Sequence, residues 1–206
     1  MGGKYMKKLV TLVLILLMSL AFSVNAIAGT IYLDLPINSE IDDDGVDFDL
    51  SGTIIGIELP TNNIKASIEY FNGSIDIGPF DEDLTQIHLK GGYRFADGLY
   101  VTLGMIDGEW EKFASYDSIM IGLDLSKKIT KELLLEGSVA LALTGSVDYD
   151  YYRELDADFL SLKGKLTYFF TNNLGGSVGY RKTIIEDEED YKITASGITV
   201  GATYKF

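Results

Sequence analysis

The stretch Glu40-Ile41-Asp42-Asp43-Asp44-Gly45 sets carboxylates at alternate positions ahead of a glycine. Oxygen donors at that spacing open many calcium-binding loops, in which a bidentate acid closes the shell at the twelfth position. Here that position is Ser51, which has no second oxygen to offer. Glu40, Asp42 and Asp44 are therefore weak divalent-cation candidates, and no specific metal centre is expected. His88, the only histidine, is the other candidate for chemistry. A general base needs a carboxylate to orient it and a cleft to hold substrate. The alternate neighbours of His88 are Gln86 and Lys90, so it reads as a hydrogen-bonded interior residue. No catalytic residue is assigned and no cofactor is expected.

These residues sit in a chain of unusual balance. Its formal net charge is −14, yet 47% of its 206 residues are apolar. Charge and apolarity must be segregated along it. The acidic excess argues against a nucleic-acid partner. There is no cysteine, hence no disulfide, thiolate metal site or acyl-cysteine anchor. The first 28 residues read as a secretory signal peptide. Lys4, Lys7 and Lys8 precede an apolar run from Leu9 to Phe22, and Ala26-Ile27-Ala28 fits the cleavage site, with a cut after Ala26 as the alternative. That run is shorter than the ~20 residues a membrane-spanning helix needs.

Residues 29–206 read as one domain of strands. The pattern predicts ten, over 30–37, 48–59, 64–73, 85–95, 99–106, 117–128, 133–146, 158–170, 174–185 and 193–206. Their connections alternate strictly. Short turns such as Ala96-Asp97-Gly98 and Thr171-Asn172-Asn173 suit tight hairpins. The other connections are long and hold most of the 31 acidic residues, among them "NSEIDDDGVD" and "IEDEEDY". An up-and-down meander gathers all long connections at one end and all short turns at the other.

The strand faces bear on the class. Over 158–170, Leu160, Leu162, Gly164, Leu166, Tyr168 and Phe170 alternate with Ser161, Lys163, Lys165 and Thr167. Over 133–146 the second face is Leu134, Glu136, Ser138, Ala140, Ala142 and Thr144. Such a face, rich in small residues with charges of both signs at mid-strand, suits a narrow polar interior, and the apolar face then points to lipid. The expected interior charges are Asp34, Lys65, Glu69, Lys90, Arg94, Asp124, Glu136, Lys163, Lys165 and Arg181, with His88 among them. Most should pair, because unpaired buried charge is costly. Three strands finish alike at the short-turn end: Tyr93 and Phe95, Tyr168 and Phe170, Tyr204 and Phe206. Aromatics at one level form the girdle of a membrane barrel.

The chain thus resembles the small outer-membrane β-barrel proteins of two-membraned bacteria. The resemblance rests on the signal segment, the alternation, the loop asymmetry and the ending Ile198, Val200, Ala202, Tyr204, Phe206. It implies that this last row is read by the barrel assembly machinery. The expected fold is an all-β, antiparallel, up-and-down transmembrane barrel of ten strands, with eight as the alternative. Lipid offers no hydrogen bonds to an open edge, so the last strand must pair with the first. A bulge is expected near Gly52, where alternation is poor.

The expected protein is a monomer in the bacterial outer membrane, with acidic extracellular loops and a structural or surface-interaction role. Its partners would be outer-membrane lipid and lipopolysaccharide phosphates bridged by divalent cations. A narrow channel for small polar solutes is the alternative, followed by a soluble exported barrel that binds an apolar ligand. An integral-membrane enzyme comes last. Trp110, Phe113, Tyr116, Tyr149, Tyr151, Tyr152 and Tyr191 fall in the acidic connections, where they would pack the loops or contact partners.

Overall fold

The structure, a computed structural model, describes residues 28–43, 45–60, 63–77, 80–111, 113–149 and 154–206. Residues 1–27 of the expected signal segment, and also Asp44, Tyr151 and Tyr152, lie outside the described residues. Ten strands follow in chain order: β1 (Thr30–Asp43), β2 (Val46–Pro60), β3 (Ile64–Ile77), β4 (Phe80–Ala96), β5 (Leu99–Trp110), β6 (Ala114–Lys128), β7 (Leu133–Tyr149), β8 (Glu154–Phe169), β9 (Leu174–Asp187) and β10 (Lys192–Lys205). Each pairs antiparallel with its sequence neighbours, and β10 pairs with β1 to close the barrel. The strand count is ten, as the alternation implied, and not eight.

The short turns are built by local chemistry. The Thr130 hydroxyl accepts from the backbone N–H of Glu132 and Leu133, and Thr171 does the same for Asn173 and Leu174. A hydroxyl that satisfies two backbone donors reverses the chain in few residues. Gly98 supplies the left-handed conformation of the β4–β5 turn, at φ 70°.

The strands are longer than the sequence pattern suggested, and nearly all the surplus is at the long-connection end. They run from 12 to 17 residues, whereas a tilted bilayer crossing needs about 9–11. What read as acidic loops is largely strand that continues beyond the apolar band. Both faces change chemistry at one level. On β8, Leu160, Leu162 and Leu166 point outward in the lower part, with Lys163 and Lys165 inward. Further up, Asp156 and Asp158 point outward while Leu155, Ala157 and Phe159 turn inward and are buried. β2 does likewise, with Asp47 and Asp49 outside Phe48 and Leu50. The lower barrel is apolar outside and polar inside; the upper barrel is the reverse.

Besides a register shift beside the β4–β5 turn, between Arg94 and Ala96, two bulges adjust the pairing. One lies on β1 between Ile37 and Glu40, with Asn38 at φ 47°. It turns Ser39 and Ile41 inward and leaves Glu40 outward. It lies at the level of Gly52, where an irregularity was expected: the β1–β2 pairing shifts between Asp34–Ile54 and Ser39–Leu50, but the extra residue is on β1, and β2 pairs β3 without a shift. The second lies on β7 between Leu141 and Ser146. It carries Thr144 to the outer face, opposite Ile119, contrary to the lumenal position its spacing suggested.

Candidate functional site

The lumen of the lower barrel is crossed by charged side chains. Lys163 on β8 donates to Glu69 Oε2 on β3 at 3.0 Å. These strands are five apart in a ring of ten, so the pair spans the full diameter. Arg181 on β9 grips the same carboxylate through both terminal nitrogens, with Nη2 2.8 Å from Oε2. The Tyr32 hydroxyl donates to Glu69 Oε2 at 2.5 Å. Lys165 donates to both oxygens of Asp34, at 3.0 and 2.9 Å, and its ammonium lies 4.0 Å from the Tyr32 ring centroid. Across the lumen, Lys65 and Lys90 converge on Asp124 at 2.9 and 2.8 Å, and Ser138 donates to it at 2.8 Å.

This arrangement gathers the lumenal charges that the alternation singled out. Lys65, Glu69, Lys90, Asp124, Lys163, Lys165 and Arg181 all take part, and Glu136 faces the lumen opposite Lys165 in register. Arg94 sits lower, beside the short turn, where its N–H donates to the Asn63 carbonyl. Two members were missed. Tyr32 and Glu58, 3.8 Å from Lys65, lie on strands whose alternation is blurred by Pro36 and by the isoleucine run Ile54, Ile55 and Ile57. Glycines opposite the large side chains make the network possible. A Cβ at Gly56 would lie 2.1 Å from Tyr32 Cζ, and one at Gly201 would lie 2.0 Å from Asp34 Oδ1.

The upper lumen is a different place. Ile41, Ile75, Leu84, Ile106, Trp110, Met120, Val147, Phe159, Ile185 and Ile193 form one buried apolar cluster there. Between them lies a cavity of ≈ 120 Å³, with Glu69, Gln86, Arg181 and Thr183 where it meets the charged layer. The connection aromatics cap this region. Trp110 stacks on Phe113 with centroids 4.3 Å apart, Phe113 meets Tyr149 edge-on at 5.8 Å, and Tyr149 meets Tyr191 at 6.1 Å. The Tyr149 hydroxyl donates to Asp187 Oδ2 at 3.0 Å, and the Tyr191 hydroxyl donates to Asp43. β7 and β10 are three strands apart, so this chain reaches over the mouth.

His88 faces the lumen opposite Glu69 in the β3–β4 register. Its Nε2 is buried and bonds to no protein atom. Residues 175–179, Gly-Gly-Ser-Val-Gly, match the GxSxG pattern. They lie inside the regular strand β9, without the strand-to-helix turn that exposes a nucleophile. Ser177 there donates to Asp34 Oδ1 at 3.2 Å. Of the calcium candidates, Glu40 points outward and Asp42 Oδ1 accepts from the Gly45 N–H at 2.8 Å, which closes the β1–β2 turn. Among the described residues, no group of three His, Asp or Glu side chains is arranged to hold a metal ion.

The outer face carries an apolar band. Leu33, Leu103, Leu123, Leu141, Val178 and Ile198 are all exposed on it. Tyr93, Phe95, Tyr168, Phe170, Tyr204 and Phe206 project outward at its short-turn edge, with Phe170 67% exposed. Ile198, Val200, Ala202, Tyr204 and Phe206 form one outward row along β10. Above the band, acids face acids across strand pairs: Glu40 and Asp49, Asp42 and Asp47, Asp107 and Asp117, Asp148 and Glu154.

No protein-family model matches the chain, and no curated protein matches it. Solved structures do. The outer membrane protease OmpT from Escherichia coli aligns at TM-score 0.50 over 87% of this chain and 93% of that one, with 11% identity. Neisserial surface protein A aligns at 0.45 over 87% and 96%, with 13% identity. Ail, the attachment invasion locus protein of Yersinia pestis, aligns at 0.41 over 87% and 97%, with 13% identity. With ten strands closed on themselves and an apolar outer band, the chain has the fold of the bacterial outer-membrane β-barrels.

Proposed function

We propose that this protein resides in the outer membrane as a closed, non-conducting barrel and presents its acidic upper strands and connections at the cell surface. The exposed apolar band and the closed sheet support the location, because only a closed sheet satisfies its backbone in lipid. The observation that carries the closed reading is the Lys163–Glu69 pair across the diameter. A barrel of this size has an interior that side chains can fill. Reconstitution into planar lipid bilayers tests it. The expected record is flat, and discrete conductance steps from folded protein would favour the narrow channel instead.

The row Ile198 to Phe206 supports a further part of this proposal, recognition of β10 by the barrel assembly machinery. A second reading of the upper surface rests on the facing acid pairs. Like charges directly opposite on neighbouring strands repel. Divalent cations between them and the phosphates of lipopolysaccharide would relieve the repulsion and tie the barrel to its lipid. The role is proposed as interactive rather than catalytic.

A further inference from the structure

The upper cavity has walls of one chemistry and a floor of another. Ile41, Leu50, Phe71, Trp110, Ile185 and Ile193 supply apolar walls. Glu69, Gln86, Arg181 and Thr183 belong both to this cavity and to a smaller polar one beneath it, which His88 and Lys163 also line. Packing alone accounts for a dry apolar core, which should be filled by its own side chains. It does not account for the polar atoms at the floor. Arg181 Nε and His88 Nε2 are buried there and bond to no protein atom. A buried donor without an acceptor loses its hydration and gains nothing in return. Native structures rarely leave such groups unmatched unless something else meets them.

We propose that the upper lumen is a binding site for a single-chain amphiphile with an oxygen-rich head, a long-chain carboxylate being the simplest example. Its head accepts from Arg181 Nε and reaches toward His88. Its chain runs upward along the apolar walls toward Trp110. The chemistry of the lining agrees: small-molecule pockets are mostly apolar with a few placed polar groups. The aromatic chain Trp110, Phe113, Tyr149 and Tyr191 lies over the mouth through which the ligand would pass. The proposal goes beyond the closed-barrel reading and is measured apart from it, since a ligand can occupy the upper half whether or not the lower half conducts.

Trp110 is the only tryptophan in the chain, so its fluorescence reports on this cavity alone. The test uses protein in phosphatidylcholine nanodiscs, titrated with dodecanoic acid brominated at its chain end. The expected result is saturable, one-to-one quenching, reversed by unlabelled dodecanoic acid. Ala195→Phe and Ile193→Phe, which fill the cavity, should each remove the saturable part, with retained gel heat-modifiability showing that the barrel is folded. Arg181→Lys keeps the charge but lacks Nε, and should weaken the acid about tenfold while leaving brominated dodecanol unchanged. Quenching that climbs without saturation, or that is the same in either folded cavity-filled variant, would overturn the proposal. It would then report only partition of the probe into the bilayer.

Discussion

Lys165 and Asp34 meet inside the barrel, 131 residues apart in sequence, with the ammonium nitrogen 3.0 and 2.9 Å from the two carboxylate oxygens. Both are buried, and Asp34 is only 1% exposed. Removing one member of such a pair strands the other charge in the interior, at about 3–5 kcal/mol. Asp34→Ala should therefore destabilise the barrel strongly in urea unfolding followed by fluorescence. Asp34→Leu with Lys165→Met, which removes both charges, should recover most of that loss. If the double variant were as unstable as the single, the pair would not be the source of the cost.

Tyr32 lies across Gly56, its partner in the β1–β2 register. A methyl group at that position would fall 2.1 Å from the ring. Gly56→Ala should push the ring away and loosen the Tyr32 hydroxyl from Glu69. The barrel should fold, with a lowered unfolding midpoint. Tyr32→Phe alone removes the hydrogen bond to the Glu69 carboxylate and keeps the ring, and should cost about 1.5–3 kcal/mol. Adding Gly56→Ala to Tyr32→Ala should cost little, because the ring it collides with is gone.

The short-turn half was legible in the sequence because one rule governs it. Between the turns at Gly98, Thr130 and Thr171 and the level of Leu160, every second residue meets lipid and must be apolar. Ten strands and the cross-lumen charges followed from that rule. The upper half obeys the opposite rule, with acids toward water and apolar residues inward. Leu155 and Ala157 alternate with Glu154, Asp156 and Asp158 as regularly as any membrane strand, but the density of acids made 154–157 read as loop. The same alternation, read with its faces exchanged, was the signal for the apolar cavity. The bulge at Asn38 was legible in level, through the poor alternation around Gly52 opposite it, but not in strand. It shifts the phase of β1 by one residue between Ile37 and Glu40, and periodicity alone does not say which of two paired strands carries the extra residue.

The facing acids lead to a prediction about ions. Glu40 opposes Asp49, and Asp42 opposes Asp47. Asp42 also caps the Gly45 N–H, so it should be left intact. Glu40→Gln with Asp47→Asn breaks both like-charge pairs and keeps that cap. Without divalent ions the variant should be more stable than the native chain, by up to about 1 kcal/mol for each pair. Millimolar calcium should raise the native midpoint and barely move the variant. An identical calcium response in both would remove these pairs as the cation sites.

The seam of the barrel gives the last prediction. Gly29 donates to the Phe206 carbonyl at 3.1 Å, and Phe206 donates to the Gly29 carbonyl at 3.0 Å. The Phe206 ring also covers Gly29, where a Cβ would come within 2.4 Å of it. Deleting Phe206 removes both seam hydrogen bonds and the lowest aromatic of the outward row on β10. In refolding from urea into detergent micelles, where no assembly factor is present, the cost should be modest, about 1–3 kcal/mol for the two bonds together. In cells the loss should be far larger if the row Ile198 to Phe206 is read during insertion, with most of the protein failing to reach a heat-modifiable, membrane-bound form. Phe206→Tyr keeps the backbone and an aromatic ring, and should assemble nearly normally. Equal losses in cells and in micelles would assign Phe206 to seam closure alone, without a recognition role.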